Sequence, residues 1–460
     1  MRMRLLLVLS LVLAGHVLAP EARRLLRAPS MAEAPASGAS FTLALTGDSI
    51  ITRKLSVYTE PEFTKLIDLV RGADASFTNV EMLFHDYETY PMNESGGTYM
   101  RADPALAKEL AWAGFDLASL ANNHAGDYGA KGMQLTMKYV AEAGILGAGV
   151  GNSLAEAREA KFLETSKARV ALVSVSSTFP DHSRAGRTRG DMPPRPGLNP
   201  LRFSTRYVVS PEKLGLLSSV LQDLGLRGGA ADGRPVAFLG NRFERGERPG
   251  VHTEPLKDDV DEIAAVVRNA SKLADHTVVA IHCHEGDGNL FTPPEFLTTF
   301  ARAMVDAGAD VFVGTGPHVL RGVEVYKGKP ILYSIGDFIF QNETLLRLPS
   351  ENYEPFGLSD SSHVADFNAR RYDNDRTGFP AQREIWESVV ALPRWDDGRL
   401  VELALHPIAL GFGQAAHVRG RPRLADESTG RKILDDVVRL SKPFGTTVVI
   451  RGGVGYVGLE

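Results

Sequence analysis

Along this chain Asp, Asn, Glu and His recur at one kind of place, directly after a short apolar run. Residues 41–46 lead into Gly47-Asp48, residues 75–78 into Asn79-Val80-Glu81, and residues 115–121 into Asn122-Asn123-His124. Residues 277–281 lead to His282-Cys283-His284-Glu285, residues 310–313 to Gly314-Thr315-Gly316-Pro317-His318, and residues 331–334 to Gly336-Asp337. Each piece alone has an ordinary structural reading: a Gly-Asp turn, an Asn-Asn-His helix cap, a satisfied core histidine. Together they form a set of carboxylates, carboxamides and imidazoles without a thiolate, a mixed oxygen and nitrogen shell that suits Mn, Fe or Zn better than Ca or Mg. A bridging carboxylate such as Glu81 would hold one or two such ions, a pair lying about 3.5–4 Å apart, to activate a water and polarise a phosphoryl or carbonyl oxygen. Hydrolysis is the natural reaction. Cys283 alternates with His282 and His284, so on a strand it faces away from them and reads as a small core residue.

For these groups to meet, the apolar runs must be strands of one architecture. The runs at 41–46, 75–79, 115–120, 170–174, 277–281, 310–313 and 331–334 alternate with amphipathic stretches at 61–71, 104–113, 132–143, 211–224, 258–274 and 294–307. That alternation predicts βαβ units, an α/β fold with a largely parallel or mixed sheet. Several of the helices open on Pro and close on Gly, as helix ends prefer. In an open α/β sheet the carboxyl ends of the strands form one rim, where ligands bind, so the polar groups should converge there. No repeat at a solenoid period is visible.

With 43% hydrophobic and 23% charged residues the chain has ordinary globular usage, and a formal net charge of -5 leaves no excess of cations for tracking a nucleic-acid backbone. One cysteine excludes an intrachain disulfide, so packing or metal must hold the fold. The basic start Met1-Arg2-Met3-Arg4 and the apolar run to Ala19 resemble a secretory signal, too short for a comfortable membrane span. Cleavage after Ala19 fits the small-residue rule, although Pro20 would hinder it; an uncleaved anchor is the alternative. The Ala/Pro/Ser/Gly-rich stretch to Ser40 reads as a linker, so residues 1–40 are expected to export or anchor a single domain over 41–460. The protein is thus expected to face outward, in the periplasm, outside the cell or on a membrane.

Residues 181–206 are rich in Arg, Pro and Gly and follow a strand, so they form either a solvated loop or a loop over the rim that meets an anionic substrate. Arg195 in that loop and Arg101 are the candidate substrate-binding cations. Residues 341–383 read as a polar, turn-rich insertion. Beyond it, 385–392 and 400–405 flank Asp397-Gly398 as a β-hairpin, and the end of the chain offers one helix and one strand over 384–460.

Four segments carry a family resemblance: Leu45-Thr46-Gly47-Asp48, Asn79-Val80-Glu81, the stretch from Leu120-Ala121-Asn122-Asn123-His124 to Asp127-Tyr128-Gly129, and residues 317–338 from Pro317-His318 to Gly336-Asp337-Phe338. In order, over residues 41–340, they resemble the capsule-synthesis protein family associated with poly-γ-glutamate. That family is similar to the calcineurin-like metallophosphoesterases, which implies a four-layer α/β/β/α sandwich with a two-metal rim. By matching motif, the resemblance makes Asp48, Glu81, Asn123, His282 and His318 metal ligands and His124 the general acid, with Asp127 orienting it by proximity. The chain departs from the pattern at Gly316, where the family has His, at Asp337, where it has Asn, and at Ile50, where phosphoesterases have a second His. His284 or Asp337 is left to replace what Gly316 lacks.

Three functions are compatible with these residues. The first is a metal-dependent hydrolase of a phosphoester or a γ-glutamyl amide. The second is a non-catalytic accessory that binds or exports an anionic capsule polymer, working with membrane capsule-synthesis machinery. The third takes Gly47-Asp48-Ser49 as the serine block of a Gly-Asp-Ser-type esterase, with Asp360 and His363 as acid and base.

Overall fold

The computed structural model describes residues 40–226 and 234–459. Apart from Ser40, the expected export segment and linker lie outside the described residues. Two sheets stack face to face. The first runs in the order Val448–Arg451, Val454–Val457, Arg399–Ala409, Glu387–Asp396, Ser40–Ile50, Ala75–Asn79, Leu117–Ser119 and Leu146–Ala148, with Asp337–Phe340 also paired to Ser40–Ile50. The second runs Val323–Tyr326, Lys329–Leu332, Val311–Thr315, His276–His282, Arg169–Ser176 and Lys161–Glu164. Its inner four strands are parallel, as are the last four of the first sheet.

The layers follow from alternation along the central strands, which are buried on both faces and so read as near-continuous apolar runs. In Ser40–Ile50, Leu43 and Leu45 point between the sheets while Ala44 points outward; in His276–His282, Val278 and Ala280 point inward while Val279 and Ile281 point outward. The inner core joins Leu43, Phe77 and Leu117 to Leu172, Val278 and Val311. Outside the first sheet lie Pro61–Arg71, Ala107–Ala113 and Gly129–Glu142; outside the second lie Lys257–Ala270 and Glu295–Ala307. The result is the α/β/β/α sandwich expected from the sequence. Phe296, Phe300 and Met304, at i, i+4 and i+8, are wholly buried, and each such side chain contributes about 1.5–3 kcal/mol. Pro at the first position of Pro61–Arg71 presets φ, and its Phe63, Leu66, Ile67 and Val70 form the buried stripe.

Two regions differ from the expectation. Phe203–Val209, Val236–Phe238, Asn241–Arg245 and Gly250–Pro255 form a small four-stranded sheet beside the helix Pro211–Asp223. Its strands are half-buried and carry polar residues throughout, so they lack the apolar runs that mark a strand. The chain end adds a hairpin, Val448–Arg451 with Val454–Val457, instead of one strand. The Asp397-Gly398 turn is as expected, both residues adopting positive φ (50° and 72°). Among the described residues no helix is long and apolar enough to cross a membrane.

Candidate metal centre

The polar strand ends come together where the two sheets meet. Asp48 lies in register with Asp337 on one neighbouring parallel strand and with Asn79 on the other. From the second sheet, the Gly316 backbone N–H donates to Asp48 Oδ2 at 2.9 Å, and His282 Nδ1 lies 3.4 Å from Asp48 Oδ1. The Asn79 amide links the sheets: Nδ2 donates to Asp48 Oδ1 at 2.6 Å and lies 3.1 Å from His282 Nδ1. Burial would raise the Asp48 carboxyl, but His282, His318 and the Asn79 hydrogen bond outweigh it and hold it below the usual range.

Glu81 sits at the centre of this cluster. It is fully buried, and neither carboxylate oxygen has a hydrogen-bond donor. Oε1 faces three imidazole nitrogens, Nε2 of His124 and of His282 at 3.6 Å and Nε2 of His284 at 3.9 Å, while Oε2 lies 4.0 Å from His318 Nδ1. Burial, with Asp48, Asp337 and Asp127 nearby, pushes the Glu81 carboxyl well above its ordinary value despite His318. Two groups of potential ligand atoms share it: Glu81 with His282 and His284, and Glu81 with Asp48 and His318. The Nε2 atoms of His282 and His284 stand 3.0 Å apart, and burial among imidazoles holds His284 well below the ordinary histidine range.

His318 Nδ1 lies 2.8 Å from Asp337 Oδ1 and 3.8 Å from Asp48 Oδ2. Burial alone would lower its pKa, but the Asp337, Glu81 and Asp48 carboxylates together reverse the sign and raise it. Burial raises the Asp337 carboxyl as it does that of Glu81, so the two stay ionised beside Asp48 only with positive charge next to them, from a proton on His318 or from a cation. His318 is held at φ 58°, a left-handed conformation sparse for a non-glycine residue. Phe379, from the insertion, packs edge-on against its ring at 5.5 Å.

This donor set fits the divalent transition metal implied by the resemblance. A buried carboxylate with no donors is costly unless a cation compensates it, and the Asn123 Oδ1, Asn79 Oδ1 and Asp337 Oδ2 atoms are likewise buried without partners. Asn123 Nδ2 is anchored on Gly96 O at 2.9 Å. Gly316, however, has no room for an imidazole: its φ is 114° and a Cβ would stand 2.7 Å from the Cys283 backbone nitrogen. His284 occupies the neighbouring strand end instead.

His124 is the second residue of the short 3-10 turn Asn123–Gly126, and its backbone N–H donates to Asn122 Oδ1, which caps the turn. Its Nδ1 lies 2.7 Å from Asp127 Oδ2, and Asp127 also accepts the backbone N–H groups of Gly96 at 2.8 Å and Met100 at 2.8 Å. His124 is therefore oriented with Nε2 toward Glu81.

The two candidate anion-binding arginines are placed differently. Arg101 is buried, donates to His85 O and Asp86 Oδ1, and stacks on Tyr87 with its guanidinium carbon 3.9 Å from the ring centre. Arg195 donates from Nε to Arg184 O within the 181–206 loop. That loop reaches the centre's edge, since His182 Nε2 lies 3.2 Å from Gly126 O. Ser49 is buried with its hydroxyl 2.7 Å from Thr78 Oγ1, whereas Asp360 and His363 are exposed and line a separate cavity of about 420 Å³, so no serine triad is assembled. Cys283 points into the outer core beneath the second sheet's helices, and burial pushes its thiol up.

Sequence reasoning missed Asn79, Thr315 and Phe379. Asn79 opens the Asn79-Val80-Glu81 segment, two residues before the predicted ligand, and that signal was available. Thr315 Oγ1, 3.1 Å from His282 Nδ1, and Phe379, in an irregular insertion, carried none.

The family model for the bacterial capsule synthesis protein PGA_cap matches residues 42–342. Two uncharacterized proteins of Sinorhizobium fredii (strain NBRC 101917 / NGR234), y4sH and y4uA, are each 36% identical over 433 residues, covering 91% of this chain and 93% of theirs. The capsule biosynthesis protein CapA of Bacillus anthracis is 25% identical over 306 residues, 65% of this chain and 59% of that protein. Among solved structures, Haemophilus influenzae NAD nucleotidase (NadN) aligns over 87% of this chain and 56% of that chain at 8% identity with a TM-score of 0.30.

Proposed function

This chain belongs to the bacterial capsule synthesis protein family PGA_cap, and from that membership and the rim of buried ligands we propose an exported, metal-dependent hydrolase acting on a phosphoester or a γ-glutamyl amide in capsule metabolism. The observation that carries this reading is Glu81, a buried carboxylate with two free oxygens, each facing a different set of ligand atoms. Asp48, Glu81, His282, His284 and His318, with Asn123 and Asp337 beside them, would hold one or two divalent Mn, Fe or Zn ions, which when bound supply Lewis-acid activation of water and of the scissile centre.

The protein's own groups do the rest. Asp127, fixed by two backbone N–H groups, holds His124 Nδ1 so that Nε2 presents its proton to the leaving oxygen or nitrogen. The two imidazoles differ in access: the His124 side chain is 5% exposed and that of His284 is 30% exposed, so substrate approaches over His284. Asn79 keeps Asp48 and His282 at fixed separation, which sets the spacing of the ligand groups. An anionic polymer or phosphoester is the expected substrate, and membrane capsule-synthesis machinery the expected setting.

Gly316 favours a second reading, a non-catalytic accessory that binds or exports an anionic capsule polymer, because one imidazole of the expected set is missing and has no room to return. Metal analysis of the purified full chain, combined with a screen of phosphoesters and γ-glutamyl peptides, separates the two. Turnover that disappears on chelation and returns with Mn, Fe or Zn supports the hydrolase. A protein that binds polymer but turns over none of these substrates, with metal or without, is the accessory.

A further inference from the structure

The helix Pro211–Asp223 carries more apolar surface than the described residues around it cover. Leu214, Leu217 and Leu221 face the small sheet and pack with Val209, Val236, Phe238 and Phe243. Flanking them, Leu216, Val220 and Leu224, at i, i+4 and i+8, form a second row that is 63%, 44% and 59% exposed. The two rows together make the apolar face wider than the small sheet covers, and a row of three large side chains is not the scatter of lone exposed residues normal on a surface.

What would cover this row is indicated by its shape and its charges. Beside the ridge of Leu216, Val220 and Leu224 runs a shallow row made by Gly215 and Ser219, and a Cβ at Gly215 would meet nothing within 4 Å. One face therefore offers both a ridge and a groove, the two halves of ridge-into-groove packing, and a two-fold axis across it sets each ridge into the other groove. The charges agree. Lys213 lies in the first turn and Asp223 at the last position, both exposed, and neither has an ion-pair partner among the described residues. Each stands at the wrong end for its own helix dipole, and antiparallel pairing brings Lys213 of one copy to Asp223 of the other. An anionic lipid surface would instead meet Glu212 and Asp223 beside the ridge and be repelled. We infer that this face is the interface of a two-fold homodimer, with two Pro211–Asp223 helices packed antiparallel.

Cross-linking of the purified full chain tests the arrangement directly. Pairing Lys213 with Asp223 sets residue 216 of one copy beside residue 220 of the other, so an equimolar mixture of Leu216→Cys and Val220→Cys chains, with Cys283 buried, should give a disulfide-linked dimer under mild oxidation, whereas Lys327→Cys should not. In sedimentation, Lys213→Glu and Asp223→Lys should each weaken dimerisation by about 10-fold, and the double exchange should restore it. All substituted positions are on the surface, and circular dichroism should be unchanged. A chain that sediments as one 49.9 kDa copy at micromolar concentration, or a double exchange no better than either single change, overturns the dimer. Binding of a single copy to anionic vesicles that Val220→Glu abolishes would assign the face to lipid and overturn it equally.

Discussion

His124 Nδ1 and Asp127 Oδ2 stand 2.7 Å apart, and the same Asp127 carboxylate ties down the backbone at Gly96 and Met100. The histidine therefore inherits its orientation from a loop fixed at two points. His124→Ala should lower turnover by about 100-fold or more while metal content stays constant, since His124 is outside both groups of ligand atoms. Asp127→Asn should lower turnover and also loosen the Gly96–Met100 loop, visible as faster amide exchange there. Loss of metal with His124→Ala would instead make that imidazole a ligand.

Glu81 is the group whose charge is most costly in the absence of a cation, because burial without donors raises its pKa well above normal. Glu81→Gln should leave the melting temperature of the chelated protein unchanged or higher, and should erase the rise in melting temperature that Mn or Zn gives the native chain. Equal metal stabilisation of both proteins would remove Glu81 from the centre.

Gly316 combines φ 114° with a Cβ position 2.7 Å from backbone, whereas Gly328 has φ 72° and open space. Gly316→Ala should destabilise by about 3 kcal/mol or more and Gly328→Ala by about 1 kcal/mol, measured by denaturant unfolding of chelated protein. Gly316→His should be less stable still and should not raise metal content. Full stability of Gly316→Ala would show that the Cys283 backbone can yield.

His85, away from the ligand cluster, is buried against Tyr128 with its ring centre 4.4 Å away, and burial with the nearby Arg101 lowers its pKa to about 4. The unfolded chain takes up this proton near pH 6.5, the folded chain only near pH 4. Stability is therefore complete above pH 6.5 and falls as pH drops through that window, by on the order of 1–2 kcal/mol after solvent screening. His85→Gln should flatten this part of the stability profile. An unchanged acid limb would assign the loss to the carboxylates.

Much of the sandwich was legible because its central strands are buried on both faces and write themselves as apolar runs, Ala75–Asn79 and Pro61–Arg71 appearing at their observed bounds. The rim was legible for the same reason: a polar residue ending such a run is conspicuous. The small sheet around Phe203–Val209 was not, because half-exposed strands with polar residues on both faces leave no period to detect. The fit of Gly316 was not either, since the obstacle is the backbone of Cys283, 33 residues earlier, and neighbour contacts of that kind are invisible in one dimension. Phe379 reaches His318 from a turn-rich insertion whose path composition does not encode.

Asp48 and Asp337 are register partners although the whole second sheet lies between them in sequence. The centre therefore has no existence in a partly synthesised or partly translocated chain: until the segment bearing Asp337 docks against the first strand, Asp48 and Glu81 face an incomplete wall. An ion held by these groups would be captured only at the closing stage of folding, so the compartment in which that stage takes place would decide which ions are on offer. A change of compartment would then change the occupant of the site without altering a residue.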